Sequence, residues 1–309
     1  MAIFRPDRNV PQGPAPKEAR MLLGQGDGQT LIDQPYDRRR LSYALTFTNR
    51  RQQRIIQAME LITAKLHLLR RIRRFEAMGV PQGQAFWAQA LSVMGIDVLT
   101  PTPEIARIPR TGPLVIVANH PHGLVDGMVL AEVIGRVRDD YKILTRSLLT
   151  GVAEIDQFMI PVPFDHAPDA LGQSLEMRRR AMAHLSDGGA VALFPSGSVA
   201  QAVRWFGPAV EKEWNVFTAR MIHRSGAAVL PIRFPGQNSR AYQIAAQMSP
   251  TLRQGLLLYE VRHALDRLQR PIIGAPLSPA DLAPWADKPR RFMVWLRDHV
   301  LGLQADGPD

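Results

Sequence analysis

The chain contains no cysteine. That absence removes structural disulfides, thiolate nucleophiles and Cys-ligated zinc, and says little about compartment. No run of about 18 apolar residues occurs, so no membrane-spanning helix is expected. Charges at the N-terminus have no apolar stretch behind them, so the segment does not read as a secretory signal. There is no Gly-x-Ser-x-Gly turn to expose a serine nucleophile, and no internal repeat. Acidic residues are outnumbered: 38 Lys/Arg face 28 Asp/Glu, for a net charge of +10.

The basic excess is concentrated at one end. Residues 1–80 carry 15 Lys/Arg and 7 Asp/Glu. A basic segment beside a near-neutral body suggests a polyanionic partner, either nucleic acid or an anionic membrane surface. The 309 residues, 46% of them hydrophobic, suffice for one large domain with an extension. Residues 1–36 are rich in Pro, Gly, Gln and Asp and lack periodicity, which predicts a loosely ordered tail. Residues 37–100 read as a helical, membrane-facing segment, and residues 101–305 as an α/β domain.

Within the helical segment, Ile55, Met59, Ile62, Leu66, Leu69 and Ile72 recur at spacings of mostly three and four. That is an apolar stripe at helix period. Arg70, Arg71, Arg73 and Arg74 fan over the opposite side. The stripe predicts packing on the core, and the arginines predict either a solvated face or contact with anionic lipid. A second helix is expected near Gln84–Met94.

Beyond residue 100, short apolar strands alternate with helical stretches. Strands are expected at "PLVIVAN", "YKILTR", "GGAVALF", "AAVLPIRF" and "RPIIGAPL", with "DQFMIPVPF" extended. Helices are expected near Leu124–Val137, Ala170–Leu185, Lys212–Ser225, Ser249–Leu268 and Lys288–Leu301. Such alternation predicts an α/β fold with a mixed, largely parallel sheet flanked by helices. Sites in such folds gather where strands end and helices begin.

One of those turns carries "NHPHGLVDG". Three readings are open from spacing. His120 or His122 acts as a general base oriented by Asp126. The pair with Asp126 binds a metal, although the other histidines are scattered. Or Asp126 caps the helix and the histidines are ordinary turn residues. Two later turns add to the picture. "FPSGS" (Phe194, Pro195, Ser196, Gly197, Ser198) offers amides and hydroxyls to a phosphate or oxyanion. "VLPIRFPGQNS" ends another strand.

Together these blocks resemble the lysophospholipid and glycerolipid acyltransferase family, with its Asn-His…Asp, Phe-Pro-Glu-Gly and Val-Leu-Pro-Ile blocks. The resemblance is closer to the haemolysin-like bacterial branch, which includes ornithine-lipid acyltransferases. It spans about Leu41 to Pro279. It implies His120 as base and Asp126 as its partner, with His122 a second polar group or alternative base. It implies an acceptor pocket lined by the segment 143–162 (with Arg146), an oxyanion or phosphate turn at Gly123 and Phe194–Ser198, and an anion contact at Pro231 and Arg233. Two departures are visible. His120 and Asp126 are separated by five residues where the family commonly has four. Ser196 and Ser198 stand where a glutamate is usual.

The resemblance further implies acyl transfer from acyl-CoA or acyl-carrier protein, as co-substrate, to the hydroxyl of lysophosphatidic acid or a lyso-ornithine-type lipid. No cofactor, metal or nucleic acid takes part. The expected location is peripheral, on the cytoplasmic face of the bacterial inner membrane. Competing readings are a hydrolase using Ser196 or Ser198, a degenerate lipid-binding relative, and a nucleic-acid module. The last would need base-stacking aromatics beside the arginines, where only Phe75 stands.

Overall fold

The computed structural model describes residues 41–145, 149, 151–163 and 169–305. The expected tail and Arg146 lie outside them. In chain order the elements are α1 (Arg50–Glu60), a π-helical turn (Leu61–Lys65), α2 (Leu66–Ala77) and α3 (Ala85–Met94). Then come β1 (Asp97–Val98), α4 (Thr102–Ile105), β2 (Leu114–Ala118), α5 (Leu124–Gly135), β3 (Tyr141–Thr145), β4 (Met159–Pro161) and α6 (Ala170–Ser186). They are followed by β5 (Ala190–Leu193), β6 (Gln201–Ala202), β7 (Ala209–Val210), α7 (Val216–Ser225) and β8 (Ala228–Arg233). The chain closes with α8 (Arg240–Met248), α9 (Pro250–Gly255), α10 (Leu257–His263), β9 (Leu268–Gln269), β10 (Ile272–Ile273), α11 (Pro279–Leu282) and α12 (Pro289–Leu301).

The main sheet has the order β10-β8-β2-β5-β3-β4. β10 is antiparallel to β8, and the remaining neighbours are parallel. β2 lies at its centre with all five residues buried, as a strand covered on both faces requires. Side chains alternate across it. Leu114, Ile116 and Ala118 meet α2, α3, α5 and α10 on one face. Val115 and Val117 meet α6, α7 and α12 on the other. The fold is therefore the α/β arrangement with a largely parallel sheet.

Several elements differ from the expectation. α7 begins at Val216, where the Asn215 side chain accepts from the Phe217 amide and caps it. Instead of one helix over Ser249–Leu268 there are two short ones, α9 and α10, preceded by α8, which the pattern did not signal. Asp156–Phe158 is part of a 3-10 turn before β4.

The largest correction concerns α1–α2. The residues turned inward are Ile56, Glu60, Ala64 and Leu68, while Ile55, Leu61, Ile62 and Leu66 are exposed. The π turn between the helices shifts the side-chain register by adding a residue to the turn. Glu60 is buried as an acceptor: its two carboxylate oxygens take bonds from the Ser42 hydroxyl and the Tyr43 amide. Arg71 also departs from the basic face. It donates to the Val93 carbonyl and with both contacts of one nitrogen to Asp266. Arg70, Arg73 and Arg74 stay exposed.

This register is testable by paired truncations. Ile56→Ala should cost about 2–5 kcal/mol of stability in a denaturant titration. Ile62→Ala should change it by less than about 0.5 kcal/mol. The reverse order would restore the stripe read from the sequence.

Candidate active site

The turn between β2 and α5 carries the histidines. Gly123 has φ 88°, a left-handed conformation that suits glycine. That twist folds the turn back over the first turn of α5, where Asp126 sits fully buried. Its carboxylate accepts four hydrogen bonds. Oδ2 takes the His120 Nδ1 at 3.0 Å, the His122 amide at 2.8 Å and the Gly123 amide at 3.0 Å. Oδ1 takes the His122 Nδ1 at 2.9 Å. Both histidines thus share one carboxylate.

Burial by itself would raise the Asp126 carboxyl. The charge of His122 and the hydrogen bonds from both histidines overcome it and hold the group well below the usual carboxylate range. An ionised carboxylate only accepts, so each Nδ1 carries the proton. The His120 Nε2 is left with its lone pair, which is the form a general base needs. For His122, burial opposes the charge, but Asp126 and then Glu260 outweigh it and raise its pKa, with Arg267 acting against them. The capping and the orienting roles of Asp126 turn out to coexist.

Three later segments brace His120. Its ring stacks on Phe194 with centroids 4.0 Å apart. Its carbonyl accepts from the Ala200 amide at 2.8 Å. Its amide donates to Glu211, whose other oxygen accepts from the Trp214 indole. Asn119 clamps the end of β2 to the residue after β8, exchanging two bonds with Phe234. Gly236 backs His122: a Cβ there would stand 3.0 Å from the His122 Nε2, and its φ is 94°. Sequence reasoning missed Glu211 and Gly236. Neither has a local signature, because the topology alone brings them to the turn.

The remaining expected residues divide. Phe194 and Pro195 belong to the site, the latter accepting from the Asn215 amide at 3.0 Å. The amides of Gly123 and Gly197 are not open to an oxyanion, since they bond Asp126 and the Phe194 carbonyl. Ser196 donates to the Ser198 carbonyl, and the buried Ser198 hydroxyl has no partner among the described residues. Among the described residues neither serine bonds a histidine, which is not the arrangement of an activated serine nucleophile. Pro231 and Arg233 are not brought to the histidines. Alternation along β8 puts Leu230, Ile232 and Phe234 on the α5 face. Arg233 projects the other way and donates to the Leu303 carbonyl.

Beside the turn opens an apolar cavity of about 150 Å³. Leu124, the residue after Gly123, and Met128 form one wall. Leu68, Phe75, Phe86 and Leu258 form others, and Arg71 stands among them. The turn therefore places an imidazole, a buried carboxylate and one wall of an apolar chamber on the same face of the sheet.

No family model and no curated protein matches the chain. Among solved structures it is similar to the 1-acyl-sn-glycerophosphate (LPA) acyltransferase of Thermotoga maritima. The identity is 15% and the TM-score 0.45, over 83% of this chain and 98% of that one. The chemical reading therefore rests on the site's own geometry.

That geometry makes the folded protein sensitive to alkali. A histidine whose pKa is raised by folding stabilises fully below its unfolded value, about 6.5. The contribution is lost as pH rises through the higher folded value. The wild-type melting temperature should accordingly fall over that window, and His122→Gln should flatten the slope. Equal slopes in the two proteins would remove the ion pair from the account.

Proposed function

We propose that the chain is an O-acyltransferase acting at a membrane surface. It moves a fatty acyl group from acyl-CoA or acyl-carrier protein to a lysolipid hydroxyl. The carrying observation is the His120–Asp126 pair on a turn whose following residues, Leu124 and Met128, line an apolar chamber. A base on a turn that also walls an apolar cavity suits a hydroxyl and an acyl chain together.

In this reading His120 Nε2 takes the acceptor hydroxyl proton as the oxygen attacks the thioester carbonyl. The C–O bond forms, the C–S bond breaks, and His120 returns the proton to the departing thiolate. Asp126 keeps His120 in the Nδ1–H tautomer and stabilises the imidazolium that forms. His122, whose pKa the same carboxylate raises, is the second imidazole donor to Asp126. The acceptor classes that fit the motif resemblance are lysophosphatidic acid and lyso-ornithine-type lipids.

Membrane contact falls to α1–α2. Ile62, Leu66, Arg70 and Arg73 follow one exposed side at spacings of four, four and three. An apolar row continuing into arginines suits acyl chains and anionic headgroups. No described helix is long and apolar enough to cross a membrane.

The test is an acylation assay with a fatty acyl thioester and a lysolipid. His120→Ala should lower kcat by roughly 10²- to 10⁴-fold with the melting temperature little changed. Undiminished turnover in His120→Ala would overturn the assignment. Release of free fatty acid at the same rate without lysolipid would favour a hydrolase instead.

A further inference from the structure

β6 and β7 form a hairpin that the proposed chemistry does not use. Its tip is "VRWFG", residues 203–207. Val203 is 76% exposed, Trp205 56% and Phe206 72%. Three large apolar side chains in four consecutive residues leave the protein together. Phe206 also has φ 63°, a conformation that a bulky residue adopts only at a cost. A strained, exposed aromatic is a feature to explain by function rather than by folding.

The base of the hairpin is held firmly. The Ala202 amide donates to Gln243, and the Ala209 amide donates to Gln237. Arg253 donates to Gln201, and Arg240 donates to the Phe206 carbonyl. The tip is therefore presented, not merely loose. It is also tied to the site, because the Ala200 amide donates to the His120 carbonyl immediately before β6.

We propose that this tip inserts into the interface of a phospholipid bilayer and seats the active site on it. Trp and Phe favour that zone, where an apolar body meets polar headgroups. Arg204, also exposed, adds a cation at the same depth as the headgroups. The hairpin is linked to α1 through packed helices. α8 packs on β6, α9 packs on α8, and α1 packs on α9, with Gln52 bonded to Thr251 across the last contact. The inference extends the acyltransferase reading, since a lipid acceptor must travel from the bilayer to His120.

The experiment is vesicle cosedimentation of the full chain, using phosphatidylcholine vesicles with and without phosphatidylglycerol. The double change Trp205→Ser and Phe206→Ser should weaken binding by about tenfold or more, given the apolar area withdrawn. The exposed Val294→Ser, on α12, should leave it unchanged. A second reading uses the unaltered chain: vesicles should slow amide exchange at residues 203–207. Wild-type-like binding by the double variant, or unchanged exchange at the tip, would overturn the proposal. Binding is measured without turnover. A tip that binds in a protein that never acylates lysolipid would sink the acyltransferase reading and leave this one standing.

Discussion

The structure turns on a single buried carboxylate. Asp126 has no contact with water and would be expensive to ionise alone. Four donors make ionisation favourable, and all four come from one turn, His120 to Gly123. The turn in turn exists only because Gly123 can take a positive φ. Conformation and charge are therefore one problem: the carboxylate folds the turn, and the turn keeps the carboxylate charged. The Nδ1–H tautomer of His120 is a by-product of that solution.

The sheet makes the arrangement rigid. Central strand β2 delivers Asn119 and His120 at its carboxyl end, and its neighbours on both sides deliver the braces. β5 runs into Phe194 beneath the imidazole ring, and β8 runs into Phe234 and Gly236. The helices on the same face enclose the apolar chamber, while those on the other bury the Val115 side of the strand. The hairpin tip and the outer side of α1–α2, with Ile62 and Leu66, keep apolar side chains exposed. That division fits a protein whose chemistry is enclosed and whose approach to substrate is not.

Much of this was legible in the residue order. β2 reads as a buried strand because its apolar, β-branched run has no polar alternation. The turn after it was legible as a site, but as a choice between His120 at one spacing and His122 at another. The choice dissolves because a carboxylate has two oxygens and room for several donors. The five-residue separation from His120 to Asp126 is what lets both histidines arrive. Other features were not legible. Ile62 and Ile56 are equally apolar, so periodicity alone could not say which faces the core. Arg233 follows Pro231 in a suggestive block, yet strand alternation turns it to the far face. Glu211 is separated from His120 by most of the chain's central third, and no local pattern announces it.

Both histidines meet one carboxylate, and the contact with Asp126 fixes the His120 proton on Nδ1. Imidazole nitrogen NMR on the ¹⁵N-labelled protein reads the tautomer directly. Neutral His120 is expected to be the Nδ1–H tautomer, and Asp126→Asn to erase this preference. A His120 carrying its proton on Nε2 in the wild-type protein would contradict it.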